Sequence, residues 1–156
     1  MNNNRKIYLY INTILSISIM IVIFLFSSEN ANLSMNTSNS VKDLLLSFLS
    51  KFAPESIIDF IDQYIRKLAH FTLYFLLGIT TSNAINNGFS FRKHLAYGIS
   101  SGICIIYAIS DEIHQYFVPG RSCSIIDIGI DTLGILSGIL LVWVISLIFA
   151  YKKKTT

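Results

Sequence analysis

Four long apolar runs alternate with shorter polar segments along the chain, at about residues 7–26, 68–86, 95–113 and 128–150. Each approaches the roughly 20 residues that a helix needs to cross the hydrocarbon core of a bilayer. The first holds no charge from Ile7 to Phe26, and Ser, Thr, Gly and Tyr interrupt the four runs, as membrane helices tolerate where they pack closely. The third is the shortest in purely apolar terms, so its helix is expected to continue into the acidic stretch that follows. Between the first two runs lie an Asn- and Ser-rich segment and then two pieces with helical periodicity. Val41, Leu44, Leu45, Phe48, Leu49 and Phe52 share one face of the first piece, opposite Lys42, Asp43, Ser47 and Lys51. Pro54 opens the second with Glu55 in its first turn, and Ile57, Ile58, Ile61, Tyr64 and Ile65 form its stripe. Neither piece is apolar enough to span. The pattern predicts an all-α, polytopic membrane protein, one domain over residues 1–156. It has a bundle of four transmembrane helices and short amphipathic helices in an exterior loop, 27–66, the second leading into the second span through Arg66 and Lys67.

Composition agrees: 53% of residues are hydrophobic, 13% are charged, and the mean hydropathy is +0.58. The first run follows Arg5 and Lys6, as a signal peptide would, but it exceeds the typical 7–15-residue apolar stretch and no small-x-small cleavage site follows. An anchor is the reading it supports. Basic residues fix the expected orientation. Arg5 and Lys6 precede the first span, Arg92 and Lys93 join the second to the third, and Lys152 to Lys154 follow the fourth. With four spans these segments share the cytoplasmic side, so both termini are expected inside and the link between spans three and four outside. The net charge of +3 therefore needs no nucleic-acid partner. An Asn- and Ile-rich composition points to a bacterium and its cytoplasmic membrane, which leaves the sequons at Asn32 and Asn36 unglycosylated. Cys104 and Cys123 read as unpaired thiols, and no Cys/His spacing suggests a metal.

The scarce ionisable groups gather in "SDEIHQYFVPGRSCSIIDIGID", residues 110–131, and opposite it on the second span. Lys67, His70 and Tyr74 share a helical face. Asp111, His114 and Gln115 share another, with Glu112 turned about a quarter of a turn away. Asp127, Asp131, Gly134 and Gly138 line a stripe at the start of the fourth helix. Pro119-Gly120 suits the centre of a type II turn and would present Arg121, whose planar fork suits phosphate or carboxylate. Taken singly, these residues have plainer readings: His70 as a helix–helix hydrogen bond, Tyr74 as core, Arg66 and Lys67 as snorkelling cations, Asp127 as a cap or first-turn carboxylate. Convergence outweighs these. Charges near hydrocarbon cost several kcal/mol unless they face a bundle interior and meet partners, and a dense cluster of them is a functional-site hypothesis. Glycines 134 and 138 would let the fourth helix approach a neighbour closely.

"RKLAHFTLYFLLG" (66–78) and "SDEIHQYFVPGRSCSIIDIGIDTLGILSG" (110–138) together resemble the VanZ-like family of bacterial membrane proteins. The likeness rests on Lys-x-x-His-Phe-x-x-Tyr, Asp-Glu-x-His-Gln, Pro-Gly-Arg and Asp-x-x-x-(Asn/Asp)-x-x-Gly in combination, over the second to fourth spans. The family pattern more often has asparagine at Asp131, so this chain carries an extra negative charge there. The resemblance implies a cytoplasmic-membrane protein whose namesake is associated with teicoplanin resistance.

Three functions compete. A binding protein of the outer leaflet would engage membrane lipids, an anionic headgroup, a lipid-linked cell-wall precursor or a lipoglycopeptide through Lys67, Tyr74, Gln115, Arg121, Asp127 and Asp131. An enzyme on such a substrate would use Asp111 or Glu112 as general base and His114 or His70 as acid, with Arg121 and Lys67 on developing negative charge. No cofactor is implied, no Gly-x-Ser-x-Gly nucleophile is present, and direct pairing of the acids with Lys and Arg ranks above a bound divalent cation. A transporter ranks third, because the polar groups gather at one end.

Overall fold

The computed structural model describes residues 3–30, 55–89 and 91–155. They form four α-helices: α1 (Asn3–Ser28), α2 (Glu55–Gly88), α3 (Lys93–Tyr116) and α4 (Ile125–Thr155). The amphipathic piece expected at residues 41–52 lies outside the described residues. The one expected after Pro54 is continuous with the second span, since α2 runs unbroken from Glu55 to Gly88.

Among the described residues three helices are long and apolar enough to cross a membrane: α1, Lys67–Gly88 of α2, and Ile125–Lys152 of α4. Four were expected, and α3 is the exception. Its 24 residues extend about 36 Å at 1.5 Å per residue, so length is sufficient. Its composition is what differs, because its inward face is polar where the others are aliphatic: Ser100, Asp111, Glu112 and Gln115 are all buried. Its outward face is as apolar as theirs, with Ile103, Ile106, Ile109 and Ile113 exposed.

The helices run alternately up and down. α2 and α3 form the central pair, each touching every other helix, while α1 and α4 lie on opposite flanks. The core between them consists of Ile23, Tyr74, Leu77, Cys104, Ala108, Ile135 and Ile139. Around it the outward faces are aliphatic and aromatic on all four helices, Ile14, Ile106, Leu140 and Trp143 among them. Apolar exposure on this scale belongs to a lipid-facing surface. Buried hydroxyls tie α1 to its neighbours. Ser16 Oγ donates to Thr80 Oγ1 at 3.0 Å, and Tyr107 Oη donates to the Met20 carbonyl at 2.6 Å.

The tightest seam is between α2 and α4, where backbone meets backbone. A Cβ built on Gly134 would lie 2.6 Å from the Phe71 carbonyl oxygen, and one on Gly78 would lie 2.5 Å from that of Ile135. On Gly138 it would strike the Phe75 carbonyl. Small residues bring membrane helices together in this way, because lipid tails supply no hydrophobic push between them. The close packing expected of glycines 134 and 138 is present, and Gly78 reciprocates from α2.

Replacing Gly138 with alanine should therefore destabilise the protein by about 1–3 kcal/mol, the usual penalty of forcing atoms into a packed contact. Gly98→Ala is the matched control, since a Cβ there meets nothing within 4 Å. It should be neutral, or stabilising by up to about 1 kcal/mol through helix propensity. Thermal unfolding of both variants in detergent measures the contrast; equal midpoints would contradict the backbone contact.

Candidate functional site

The candidate residues occupy one end of the bundle, where α1 and α3 finish and where the span of α2 and α4 begin. Two adjoining clusters form there rather than one cavity. The boundary between them runs through α3.

The first cluster surrounds an open pocket of about 290 Å³ between α2, α3 and α4. Lys67 and His70 reach it from α2, Glu112 and Gln115 from α3, and Asp127, Ile130 and Asp131 from α4. Lys67 Nζ stands 3.7 Å from Asp127 Oδ1, a partly exposed pair at the mouth. Deeper, His70 Nδ1 stands 3.7 Å from Asp131 Oδ1. Asp131 is only 1% exposed, yet among the described residues neither of its carboxylate oxygens has a hydrogen-bond partner. A buried carboxylate left in that state is costly, and it marks a place where a donor is wanted.

Glu112, also 1% exposed, has a structural tie. Its Oε1 accepts a 2.7 Å hydrogen bond from the Ser124 backbone N–H. Ser124 directly precedes α4, and its Oγ accepts from the Asp127 N–H at 3.4 Å, the contact of an N-cap with the third helical residue. Asp127 then lies in the first turn, where a negative charge suits the helix dipole. Glu112 thus fastens the start of α4 to the end of α3.

The second cluster lies between α3 and α1. Ser27 Oγ donates to Asp111 Oδ2 at 2.8 Å, and Gln115 Nε2 donates to the same oxygen at 3.2 Å. Gln115 Nε2 is also 3.3 Å from Ser27 Oγ, and all three residues are buried. His114 stacks on Phe24 with ring centroids 4.7 Å apart, its Nε2 within 3.1 Å of Ser28 Oγ. Arg121 turns the same way, its Nη1 donating to the Ser27 carbonyl at 3.0 Å. That carbonyl belongs to the last turn of α1, where an arginine satisfies an otherwise orphaned acceptor. Arg121 is delivered by the turn that Pro119-Gly120 predicts: the Arg121 N–H donates to the Val118 carbonyl at 3.1 Å, and Gly120 has φ 78°, the signature of type II.

Among the sequence-derived site residues, Lys67, His70, Glu112, Gln115, Asp127 and Asp131 therefore meet at the pocket. Asp111, His114 and Arg121 face α1 instead, and Tyr74 is fully buried in the core beside the Tyr107 ring. The side chain of Arg66 is outside the described residues. The geometry adds Ser27, Ser28, Ser124 and Ile130. Ser27 and Ser28 carried a signal, two hydroxyls closing an otherwise apolar run. Cys104 and Cys123 are free thiols, as their placement suggested. No group of three or more His, Cys, Asp or Glu among the described residues is arranged to hold a metal ion.

A family model described as VanZ/LLP1 matches residues 12–148 of the chain. No curated protein and no solved structure gives a significant match.

Asp111 holds α1 to α3, which separates a structural acid from the pocket. Asp111→Ala strands the Ser27 hydroxyl and the Gln115 amide, so it should cost about 1–3 kcal/mol. Asp111→Asn keeps an acceptor and should lose less. Unfolding midpoints in detergent report the difference, and an Asp111→Ala protein as stable as the parent would refute the assignment.

Proposed function

The chain belongs to the VanZ/LLP1 family, and from that premise we propose that its pocket engages a lipid-linked molecule of the bacterial envelope. Membership also makes it a membrane protein of a family linked to glycopeptide resistance. We place it in the cytoplasmic membrane with α3 as a fourth span, both termini inside, and the pocket open to the outside. Two features support that placement. Among the described residues the acids lie at or beyond the pocket end, and the basic clusters Arg5-Lys6, Arg92-Lys93 and Lys152 to Lys154 lie at the other.

One observation carries the ligand reading: the open pocket ends on Asp131, buried and with both carboxylate oxygens unpartnered. Among the described residues three carboxylates line the pocket, Glu112, Asp127 and Asp131, against Lys67 and His70. Arg121 is engaged with the end of α1. That balance favours a headgroup rich in N–H and O–H donors over a bare phosphate. The sugars and peptide amines of a lipid-linked cell-wall precursor, or of a lipoglycopeptide such as teicoplanin, meet the requirement. Their acyl or prenyl chains would remain in the lipid beside α2 and α4. Engaging either partner would change how much teicoplanin acts on the cell, which connects the pocket to glycopeptide susceptibility.

A catalytic reading rests on a second observation. His70 and Asp131 pair at 3.7 Å within the pocket that Glu112 also lines, which is a set of groups suited to proton transfer on a bound substrate. In that reading the acid–base work falls to His70 and Glu112, since Asp111 and His114 face α1.

Expression in a teicoplanin-susceptible host tests the proposal. The parent should raise the inhibitory concentration of teicoplanin, and Asp131→Leu and Lys67→Gln should abolish the effect while Gly98→Ala retains it. With purified protein and fluorescently labelled teicoplanin or lipid-linked precursor, Asp131→Leu should weaken binding by roughly tenfold to a hundredfold, the loss expected for a charge-assisted hydrogen bond. If neither probe binds the parent, the ligand reading falls. Should a product form from radiolabelled precursor and Glu112→Gln stop its formation while leaving binding intact, the catalytic reading replaces the binding one.

A further inference from the structure

We propose that the opposite end of the bundle carries a second site, a groove that holds an anionic phospholipid of the leaflet beside it. The groove has a volume of about 580 Å³ and lies far from the pocket, where α1 and α3 begin and where α2 and α4 finish. Arg5 and Lys93 stand at its mouth, and the side chains of Asn83, Asn86 and Asn87 line it from the last turns of α2. Its membrane-facing wall is aliphatic, formed by Ile79, Leu141, Val142 and Ile145. Cations and amides at headgroup depth above an acyl-lined wall are what a phospholipid presents in complement.

The cations are anchored rather than loose. Arg5 Nε donates to the Asn87 carbonyl at 3.2 Å, which caps the end of α2 and, among the described residues, leaves the terminal amino groups of its fork for a phosphate. Lys93 Nζ lies 3.4 Å from Ser146 Oγ, and Tyr97 Oη meets the same hydroxyl at 3.4 Å, which fixes the lysine against α4. Phe89 and Phe91 stack at 5.4 Å between α2 and α3, as aromatic residues do at the membrane interface. Charge completes the argument. None of the nine acidic residues falls within residues 3–10, 83–97 or 141–155, whereas Arg5, Lys6, Arg92, Lys93 and Lys152 all do. A basic recess between helices, unopposed by any carboxylate side chain among the described residues, selects anionic headgroups over zwitterionic ones.

The chain has a single tryptophan, Trp143, which lies one helical turn before Ser146 and is partly exposed to lipid. It is therefore a built-in reporter. In proteoliposomes, phosphatidylglycerol brominated on its acyl chains should quench Trp143 more than brominated phosphatidylcholine at the same mole fraction. The relative association should favour phosphatidylglycerol by roughly fivefold per cation, the ratio given by about 1 kcal/mol for each basic residue near the membrane surface. Lys93→Gln should remove about one such factor, and Arg5→Gln combined with it should abolish the preference. Lys93 is exposed and its 3.4 Å contact to Ser146 caps no helix end, so its replacement tests the groove even if Arg5→Gln disturbs the end of α2. Equal quenching by the two lipids, or an undiminished preference in Lys93→Gln, would overturn the proposal. Neither result bears on the pocket at the other end, since Trp143 is remote from Asp131 along α4.

Discussion

The backbone-to-backbone seam between α2 and α4 is the constraint from which the pocket follows. Gly134 and Gly138 lie three and seven residues beyond Asp131, on the same stripe of α4, and they rest against Phe71 and Phe75 of α2. Phe71 is next to His70. Closing the seam therefore fixes how far apart His70 and Asp131 can be, and the observed 3.7 Å is short enough for an ion pair yet too long for a hydrogen bond. With a larger residue at either glycine the helices would separate and His70 would draw away from the buried carboxylate. The packing of the apolar part thus sets the electrostatics of the polar part.

The same logic explains why the acidic end of α3 serves two structures. Successive helical residues point about 100° apart, so Asp111 and Glu112 cannot face the same neighbour. α3 is central, and each carboxylate finds a different helix: Asp111 meets Ser27 of α1, and Glu112 meets the cap of α4. Gln115, one turn beyond Asp111, borders both clusters and bridges them. A chain that must bury acids near hydrocarbon has to give each one a donor. Here hydroxyls, an amide and a helix end supply donors to Asp111 and Glu112, while Lys67 stands beside Asp127. Arg121 shows the consequence. A type II turn delivers it to the end of α1, where the Ser27 carbonyl receives it.

Much of this was legible in the residues, and the gaps have physical causes. The spans at 7–26, 68–86 and 128–150 fall within α1, α2 and α4 because long, predominantly apolar runs leave a helix as the way to satisfy the backbone in lipid. The seam was legible in part: glycines 134 and 138 follow Asp131 at helical spacing, but Gly78 has no second glycine within a turn or two along α2 and gave no stripe. Co-location at one end was legible from spacing and alternation of direction. Which helix each polar face would meet was not, because periodicity gives the angle around a helix and says nothing of which neighbour stands at that angle. His114, on the face of Asp111, was grouped with the pocket for that reason and instead stacks on Phe24. The structural use of Ser27 was hidden similarly, since a hydroxyl at the end of an apolar run is ordinary until an acid is found opposite it.

Separation of charge along the bundle axis is the last consequence of the fold, and it distinguishes the two cavities. At the pocket end buried acids are matched to donors within the protein, with Asp131 left to whatever enters. At the groove end no acidic side chain is present among the described residues, and Arg5 and Lys93 meet carbonyl and hydroxyl dipoles. A dipole satisfies a donor's geometry without neutralising its field, and that field reaches about a Debye length into the surrounding headgroups. Charge there is compensated from the membrane, whereas charge in the pocket is compensated from the chain or from a ligand that brings its own donors. The two ends of one small bundle are thereby tuned to ligands of opposite character.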